Sequence, residues 1–238
     1  MGEPQEPQHR VAIITGGSRG LGRALATELA RRGWALVVDA RRAHELEATA
    51  TELRALTDVA ALAGDVTNPA HRAALVEAAT ELGTLSLVVN NASTLGHSPL
   101  PRVDAIEPAV LRDVFETNVV APVALIQAAL PHLVDGGTIV NVTSDAGAEA
   151  YEGWGGYGSS KAALEHLSRV LATERPDLTV LVVDPGDMRT EMHQDAFPGE
   201  DISDRPEPET VVPALVQLLQ SLPPSGRYRA ADFEVMTP

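Results

Sequence analysis

The stretch VAIITGGSRGLGRALATELARR, residues 11–32, decides the fold of this chain. It begins with a short apolar, β-branched run at residues 11–15, which is typical of a strand buried in a parallel sheet. Residues 21–32 are rich in Ala, Leu and Arg and stop before Gly33, which predicts a helix that ends there. A glycine-rich turn joins the two segments. The stretch therefore predicts a strand, a tight turn and a helix in immediate succession.

Apolar runs and helical segments alternate along the rest of the chain. Further strands are predicted at residues 36–39, 59–63, 85–89, 138–143 and 178–183, with a short last strand at 226–230. Helices are predicted at residues 43–56, 69–82, 106–134, 157–174 and 210–222. Pro122 predicts a kink or break in the longest of them. We expect an α/β fold with a doubly wound parallel sheet of about seven strands and helices on both faces.

The chain is expected to form one domain with a polar tail. Residues 1–9 are polar, contain two prolines and are predicted to be a flexible N-terminal tail. Residues 10–238 then form the single domain. Within it, residues 187–208 are rich in Asp, Glu, Pro and Met and lack a clear period. Because this segment follows a strand end, we expect a substrate loop there that can act as a lid.

Composition excludes several classes of partner. The net charge of -15 and pI of about 4.8 disfavour nucleic acid, which needs clustered Lys and Arg. The sequence has no cysteine, and its seven histidines show no metal-ligand spacing, so no metal is expected. The N-terminus has no signal-peptide pattern, and no run reaches the roughly 20 apolar residues of a membrane span. We expect a cytoplasmic protein without a membrane partner.

The turn after the first strand reads Thr15-Gly16-Gly17-Ser18-Arg19-Gly20-Leu21-Gly22. Glycines let the backbone approach a pyrophosphate, and the helix N-terminus presents free N–H groups to an anion. The turn therefore predicts a dinucleotide site, and the alternative is a tight turn without a ligand. Its Gly-x-x-x-Gly-x-Gly spacing resembles the form found in short-chain dehydrogenases/reductases.

Further motifs carry the same resemblance in the order in which that family has them. They are Asp65-Val66, Asn90-Asn91-Ala92-Ser93, Asn118, Ser144, Tyr157 with Lys161, and Pro185-Gly186-Asp187-Met188-Arg189-Thr190. Ser93 stands where the family has glycine, so a small residue is kept. The chain is identified as a member of the family from about residue 10 to residue 190, which implies a Rossmann-type fold.

The resemblance implies that Ser144, Tyr157, Lys161 and Asn118 are catalytic. A Tyr and a Lys four residues apart share one helix face, so the ammonium can lower the pKa of the phenol. By resemblance, Tyr157 is the general acid or base, Ser144 bonds the reacting oxygen, Lys161 bonds the nicotinamide ribose and Asn118 holds a water linked to Lys161. Ser144 lies thirteen residues before Tyr157, the family's usual interval, whereas its neighbour Thr143 should face the opposite way.

The resemblance also implies which residues bind a nicotinamide dinucleotide. They are Gly16, Ser18, Arg19, Gly20, Leu21, Gly22, Arg41, Asp65, Val66, Asn91, Ala92, Tyr157, Lys161, Pro185, Gly186, Met188 and Thr190. In relatives that prefer NAD, an acidic residue occupies the place of Ala40. Asp39 comes one residue early and is expected to face away from the ribose. Arg41 with Arg19 is then suited to a 2′-phosphate, which makes NADP the expected cofactor and NAD the alternative.

Two of these assignments have a structural alternative. Asp65 could cap the helix that begins near Pro69. Arg41 and Arg42 could instead be solvent-exposed residues at the start of a helix, without a role in cofactor binding.

Candidate substrate contacts lie in the loops after strands four, five and six. They are His97, Tyr151, Trp154, Met188, Met192, His193 and Phe197. Each could instead be a surface or packing residue. Their aromatic and thioether character predicts a moderately apolar aldehyde or ketone, and Arg189 could meet a carboxylate.

The expected activity is NADPH-dependent reduction of an aldehyde or ketone, or the reverse oxidation of an alcohol. Two alternatives stay open: a non-catalytic dinucleotide-binding regulator or scaffold, and a dehydratase or epimerase that uses the cofactor transiently. The resemblance further implies a homodimer or homotetramer, because the family's long crossover helices commonly pair between subunits.

Overall fold

A computed structural model describes residues 9–233 of the chain. Residues 1–8 of the expected tail and the last five residues of the expected domain lie outside this range. Seven strands form one sheet in the order β3-β2-β1-β4-β5-β6-β7, and every neighbouring pair is parallel. The strands are β1 Arg10–Ile14, β2 Ala35–Ala40, β3 Val59–Ala63, β4 Thr84–Asn90, β5 Thr138–Val142, β6 Thr179–Asp184 and β7 Gly226–Arg229. The predicted doubly wound parallel sheet is confirmed.

The sheet is buried on both faces because its strands alternate side chains between two layers. Val11 and Ile13 of β1 pack in one apolar cluster, and Ala12 and Ile14 pack in another on the opposite face. The helices are α1 Gly20–Arg31, α2 Ala43–Arg54, α3 Pro69–Leu82, α4 Pro108–Phe115, α5 Ala121–Ala129, α6 Gly155–Glu174, α7 Glu191–Ala196 and α8 Pro208–Ser221. Helices α3 and α5 supply the first cluster, and α1 and α8 supply the second.

The predicted helix at residues 106–134 is shorter and divided. It begins at Pro108, since proline fits the first helical position and biases the preceding Glu107 to an extended conformation. It ends at Ala129, ahead of Pro131, which lacks the N–H needed to continue. The expected break falls at a π-helical turn, Glu116–Val120, just before Pro122. The prediction of an interruption was therefore right, while both ends were wrong.

Residues 187–208 are more ordered than the absence of a period suggested. Thr190 caps the short helix α7, because its hydroxyl oxygen accepts a hydrogen bond from the backbone N–H of His193 at 3.1 Å. A helix of six residues shows too little periodicity to be recognised in a sequence. The segment therefore holds one capped helical turn next to the carboxyl edge of the sheet.

The order of the strands creates a crevice at that edge. The chain runs from β1 outward to β3 and then crosses back to place β4 on the other side of β1. Connections on either side of this point leave in opposite directions, so a ligand site is expected beyond the ends of β1 and β4.

Candidate active site

The glycine-rich turn lies directly at this crevice, between β1 and α1. A side chain at Gly22 is excluded, because its Cβ would lie 2.3 Å from the carbonyl oxygen of Gly16. The carboxamide of Asn91 crosses from the end of β4 and donates to the carbonyl oxygens of Thr15 at 2.8 Å and Gly16 at 3.2 Å. The turn is thus held in shape by the strand on the other side of the crevice.

The start of α1 has the features that a dinucleotide phosphate needs. Arg19 is its N-cap residue, and its side chain makes no capping hydrogen bond to the first turn. The first amide groups of a helix otherwise lack partners, and they carry the positive end of the helix dipole. The space before them belongs to a cavity of about 520 Å³. The residues present therefore fit a nicotinamide dinucleotide.

The carboxylate of Asp39 holds the glycine-rich turn through a hydrogen bond. Its Oδ1 accepts a hydrogen bond from the backbone N–H of Gly16 at 2.8 Å, and its Oδ2 lies 3.0 Å from Nε2 of His71. The residue is 1% exposed. Both oxygens are engaged within the protein, and the residue also lines the cavity.

Tyr157 and Lys161 lie on α6, which is brought close to the end of β5. Gly158 makes this approach feasible, because a Cβ there would lie 2.4 Å from the carbonyl oxygen of Ala146. Nζ of Lys161 donates to the carbonyl oxygen of Val142 at 2.9 Å and lies 5.4 Å from the centre of the Tyr157 ring. Both side chains are buried. Burial lowers the pKa of Lys161 to about 8.

The phenol of Tyr157 has two hydroxyl neighbours. Burial raises the pKa of Tyr157 above its ordinary value, while hydrogen bonds with Ser93 and Ser144 act to lower it. The carboxylates of Asp184 and Asp145 raise it further. The free protein therefore holds a neutral phenol at physiological pH.

Ser144, rather than Thr143, faces Tyr157. The Thr143 hydroxyl donates to Glu165 at 2.7 Å on the other side of the strand end. The Ser144 hydroxyl donates to Oδ1 of Asp145 at 2.9 Å and accepts from the backbone N–H of Ala146 at 3.2 Å. Its proton therefore points to Asp145 in the free protein.

Asn118 lies behind the cavity in the π-helical turn. Its Oδ1 accepts from the Ser93 hydroxyl at 3.1 Å and from the backbone N–H of Thr94 at 2.9 Å. Its Nδ2 donates to the carbonyl oxygen of Thr94 at 2.9 Å and to the Ser160 hydroxyl at 3.0 Å. The carboxamide is fully occupied and has no capacity for a water. Its backbone carbonyl differs, since Pro122 has no N–H to complete the usual helical bond to it.

The adenosine end of the cavity contains several arginines. The Arg19 guanidinium forms an ion pair with Glu191, and Nη2 of Arg42 lies 3.3 Å from the same carboxylate. Arg41 lines the cavity and makes no hydrogen bond or ion pair with any residue in the range 9–233. Asp65 also lines it and accepts from the backbone N–H and the hydroxyl of Thr67.

The alternative role of Asp65 as a helix cap does not apply. Asn68 caps α3, because its side chain accepts from the backbone N–H of Ala70.

The substrate end has an aromatic wall. Trp154 meets Tyr157 edge to face with ring centres 5.6 Å apart, and Phe197 lies 5.8 Å from Trp154 and 4.9 Å from His193. Met192 also lines the cavity. Aromatic surfaces of this kind suit a moderately apolar ligand.

Three predicted substrate residues do not line the cavity, and one of them, Phe197, packs behind Trp154 and His193. His97 is exposed and bonds the carbonyl oxygen of Pro99, and Tyr151 is 47% exposed with its hydroxyl on Asp145. The side chains of His97 and Tyr151 instead bond to residues close to them in sequence. Arg189 lines the cavity and forms a half-exposed ion pair with Glu207.

Most of the predicted cofactor set lines a single cavity. Its members there are Gly16, Ser18, Arg19, Gly20, Leu21, Arg41, Asp65, Val66, Asn91, Ala92, Tyr157, Lys161, Pro185, Gly186, Met188 and Thr190, with Ser144, Trp154, Met192 and His193 alongside them. Gly22 does not line the cavity, since it packs against the turn itself. The sequence interpretation missed Ser93 and Glu191. The only signal for Ser93 was its departure from the family's glycine.

No group of three or more His, Asp or Glu side chains within residues 9–233 is arranged to hold a metal ion. In the same part of the chain, none of the helices combines the length and apolar character that crossing a bilayer requires.

The fold and the site define a dinucleotide-dependent α/β oxidoreductase. Comparison with known proteins specifies the family. The family model for short chain dehydrogenases matches residues 10–201. This chain belongs to the short-chain dehydrogenase/reductase family and is an NAD(P)-dependent oxidoreductase that acts on small molecules.

Relatives of known structure or name support this membership. Sepiapterin reductase of Xenopus laevis is 36% identical over 198 residues, which cover 77% of this chain and 75% of that protein. A short chain dehydrogenase from Escherichia coli in complex with NADPH has a TM-score of 0.84 at 29% identity, with 94% of this chain and 97% of that chain covered. An alcohol dehydrogenase from Thermococcus sibiricus complexed with 5-hydroxy-NADP has a TM-score of 0.82 at 30% identity, with 93% and 96% covered.

Proposed function

We propose that the protein catalyses NADPH-dependent reduction of an aldehyde or ketone, or the reverse oxidation, with Tyr157 as general acid or base. The observation that carries this proposal is the convergence of Tyr157, Lys161 and Ser144 on one cavity that also contains the glycine-rich turn. A bound nicotinamide supplies or accepts the hydride. The protein's own side chains then stabilise the negative charge on the substrate oxygen and donate a proton to it.

In the reduction direction Tyr157 gives its hydroxyl proton to the carbonyl oxygen. Ser144 donates a second hydrogen bond to that oxygen, for which its proton must turn away from Asp145. Trp154 covers one edge of the phenol and helps to exclude water. Each group acts where negative charge develops on the substrate oxygen.

Lys161 makes the phenolate accessible by its charge. Its ammonium lies near the Tyr157 ring and is held on the carbonyl oxygen of Val142. It would also hold the nicotinamide ribose. Replacement of the Tyr157 proton would pass through a water on the backbone carbonyl of Asn118, because the carboxamide of that residue is already fully bonded.

We assign NADP as the preferred cofactor. Arg41 lines the adenosine end without a hydrogen bond or ion pair to any residue in the range 9–233, and Asp39 is engaged by Gly16 and His71. The planar guanidinium of an arginine can donate two parallel hydrogen bonds to a phosphate. Two similar structures were solved with NADPH or 5-hydroxy-NADP. The test compares dissociation constants for NADPH and NADH in wild type and Arg41→Ala. We expect wild type to prefer NADPH and the variant to lose most of that preference, and a wild type that prefers NADH refutes the assignment.

The substrate is a moderately apolar carbonyl compound without an anionic group. The aromatic wall favours apolar surface, and Arg189 is paired with Glu207. Residues 187–208 are proposed as the substrate loop of a single domain that spans residues 10–238. A homodimer or homotetramer and a cytoplasmic location remain predictions of the sequence.

A screen of aldehydes, ketones and quinones with NADPH and NADH tests the proposed reaction. Cofactor oxidation is followed spectrophotometrically, with Tyr157→Phe as the background control. We expect oxidation of NADPH with a subset of apolar aldehydes or ketones. Tight NADPH binding without turnover indicates a regulator or scaffold, and product formed without net NADPH consumption indicates a dehydratase or epimerase.

A further inference from the structure

A buried histidine is bonded to an aspartate that lines the cofactor cavity. The side chain of Asp39, at the end of β2, is 1% exposed, and that of His71, in the first turn of α3, is 8% exposed. Nε2 of His71 lies 3.0 Å from Oδ2 of Asp39. A carboxylate can only accept hydrogen bonds, so Nε2 is the donor. The pair therefore joins two elements whose bonded residues are 32 positions apart in the sequence.

The backbone at the end of β3 leaves space for this histidine. Gly64 directly follows β3 and also lines the cavity. A Cβ at Gly64 would come within 2.3 Å of Nδ1 of His71. Any side chain at position 64 would therefore displace the imidazole, so the ring and the glycine form one packed unit beside Asp39.

The carboxylate of Asp39 also bears on the choice of cofactor. Asp39 lines the cavity two residues before Arg41, which lines it as well. An acidic side chain in such a cavity has two possible effects on a dinucleotide. An available oxygen can accept hydrogen bonds from the ribose hydroxyls of NAD, whereas the negative charge repels the 2′-phosphate of NADP. Both effects depend on how the two oxygens are engaged within the protein.

His71 engages the oxygen that the glycine-rich turn does not use. Oδ1 of Asp39 accepts from the backbone N–H of Gly16 at 2.8 Å, and Oδ2 accepts from the imidazole. Hydrogen bonds to an ionised oxygen are about twice as strong as those between neutral groups, so turning this carboxylate towards a ligand would cost two strong bonds. The two N–H dipoles also partly offset its negative charge. A carboxylate held in this way repels a nearby phosphate less strongly.

We propose that His71 is a positioning residue that sets cofactor preference through Asp39. It holds the carboxylate on the glycine-rich turn, keeps it from the ribose of NAD and reduces its repulsion of the 2′-phosphate of NADP. The proposal rests on the proposed preference for NADP, in which Arg41 attracts the phosphate. Without His71, the same cavity would contain an incompletely bonded carboxylate together with that arginine.

The test compares dissociation constants for NADPH and NADH, measured by fluorescence titration, in wild type and His71→Leu. Leucine fills the space of the imidazole but has no N–H, so Oδ2 of Asp39 loses its donor. We expect the preference for NADPH over NADH to fall by roughly tenfold, the effect of one hydrogen bond to a charged group. Thermal unfolding shows whether the fold is kept. His71→Ser, which leaves room for a water beside Asp39, should show the same loss and serves if the leucine variant does not fold.

Three further variants separate this role from a structural one. His71→Gln keeps an N–H donor and should retain most of the wild-type preference. His71→Leu combined with Asp39→Asn removes the charge as well as the imidazole. This double variant should regain most of the NADPH affinity, since the amide oxygen can still accept from Gly16. His166→Leu makes the same substitution at an exposed position of α6 and should leave both dissociation constants unchanged.

An unchanged cofactor preference in a folded His71→Leu or His71→Ser variant overturns the proposal. Equal weakening of both cofactors, which Asp39→Asn does not reverse, also overturns it, because that result indicates a structural role alone. A wild type that prefers NADH refutes only the assignment of NADP. In that case a preference that moves further towards NADH in His71→Leu still supports the role of His71.

Discussion

Removal of the charge on Lys161 gives the sharpest perturbation of the site. Lys161 is the only lysine in the sequence, so Lys161→Met removes the single lysine ammonium of the protein. Methionine keeps a flexible apolar chain of similar length in this buried position. The ammonium lies 5.4 Å from the centre of the Tyr157 ring. Coulomb's law at an effective dielectric constant of about 20 gives an interaction of about 3 kcal/mol at this separation.

This interaction predicts the size and direction of a kinetic shift. About 3 kcal/mol corresponds to about 2 pH units, so the pKa of Tyr157 in Lys161→Met should rise by that amount. Alcohol oxidation needs the phenolate, and its kcat should therefore fall by about 100-fold at neutral pH. The effect fades above the pKa of Lys161, about 8 in the free protein, because the ammonium is then lost.

The assay is the pH profile of kcat at saturating NADP⁺, which removes any change in cofactor affinity. The control is thermal unfolding, which shows whether the variant keeps its fold. A Lys161→Met profile that superimposes on that of wild type refutes the electrostatic role of the lysine.

Three further predictions concern stability and cofactor binding. Burial lowers the pKa of Lys161 from 10.5 to about 8, so burying the charged ammonium lowers the free energy of unfolding by about 3 kcal/mol. This cost is fully present below pH 8 and disappears as the pH rises to 10.5. Urea unfolding should therefore show Lys161→Met gaining stability over wild type at pH 7 and losing that advantage by about pH 10.5, and an advantage independent of pH contradicts this. Glu191→Gln should raise NADPH affinity by about fivefold in fluorescence titrations by releasing half-exposed Arg19 and Arg42, an effect of about 1 kcal/mol, whereas weaker binding contradicts it. Gly22→Ala should lower unfolding free energy by at least about 2 kcal/mol in denaturant melts because of its 2.3 Å clash with Gly16, and a wild-type midpoint contradicts it.

Local sequence patterns were sufficient to predict most strands and helices of this protein. The apolar run before the glycine-rich turn and the helix after it are encoded within about twenty residues, which is the range over which periodicity acts. The spacing of Tyr157 and Lys161 fixes their common helix face in the same way. Pro122 correctly predicted an interruption of the long helix. The ends of that helix were predicted too far out, because Pro108 sets its start and Pro131 follows its end.

Contacts between distant segments could not be obtained from the sequence. The Ser93 hydroxyl meets Asn118, 25 positions away in the sequence, only because the end of β4 lies next to the π-helical turn. The ion pair of Glu191 with Arg42 joins residues 149 positions apart, across the mouth of the cavity. His97 and Tyr151 were expected near the substrate because of their place in loops, but side-chain direction in a loop depends on local bonds such as that between Tyr151 and Asp145.

Tyr157→Phe tests the central claim most directly. The substitution removes one oxygen from a buried side chain and leaves the ring packed against Trp154. Single-turnover oxidation of bound NADPH by a carbonyl substrate is measured together with the NADPH dissociation constant. The proposed mechanism predicts a nearly unchanged dissociation constant and a rate at least ~100-fold lower, the low end of what a positioned acid contributes. A rate close to that of wild type contradicts the assignment of Tyr157 as the general acid.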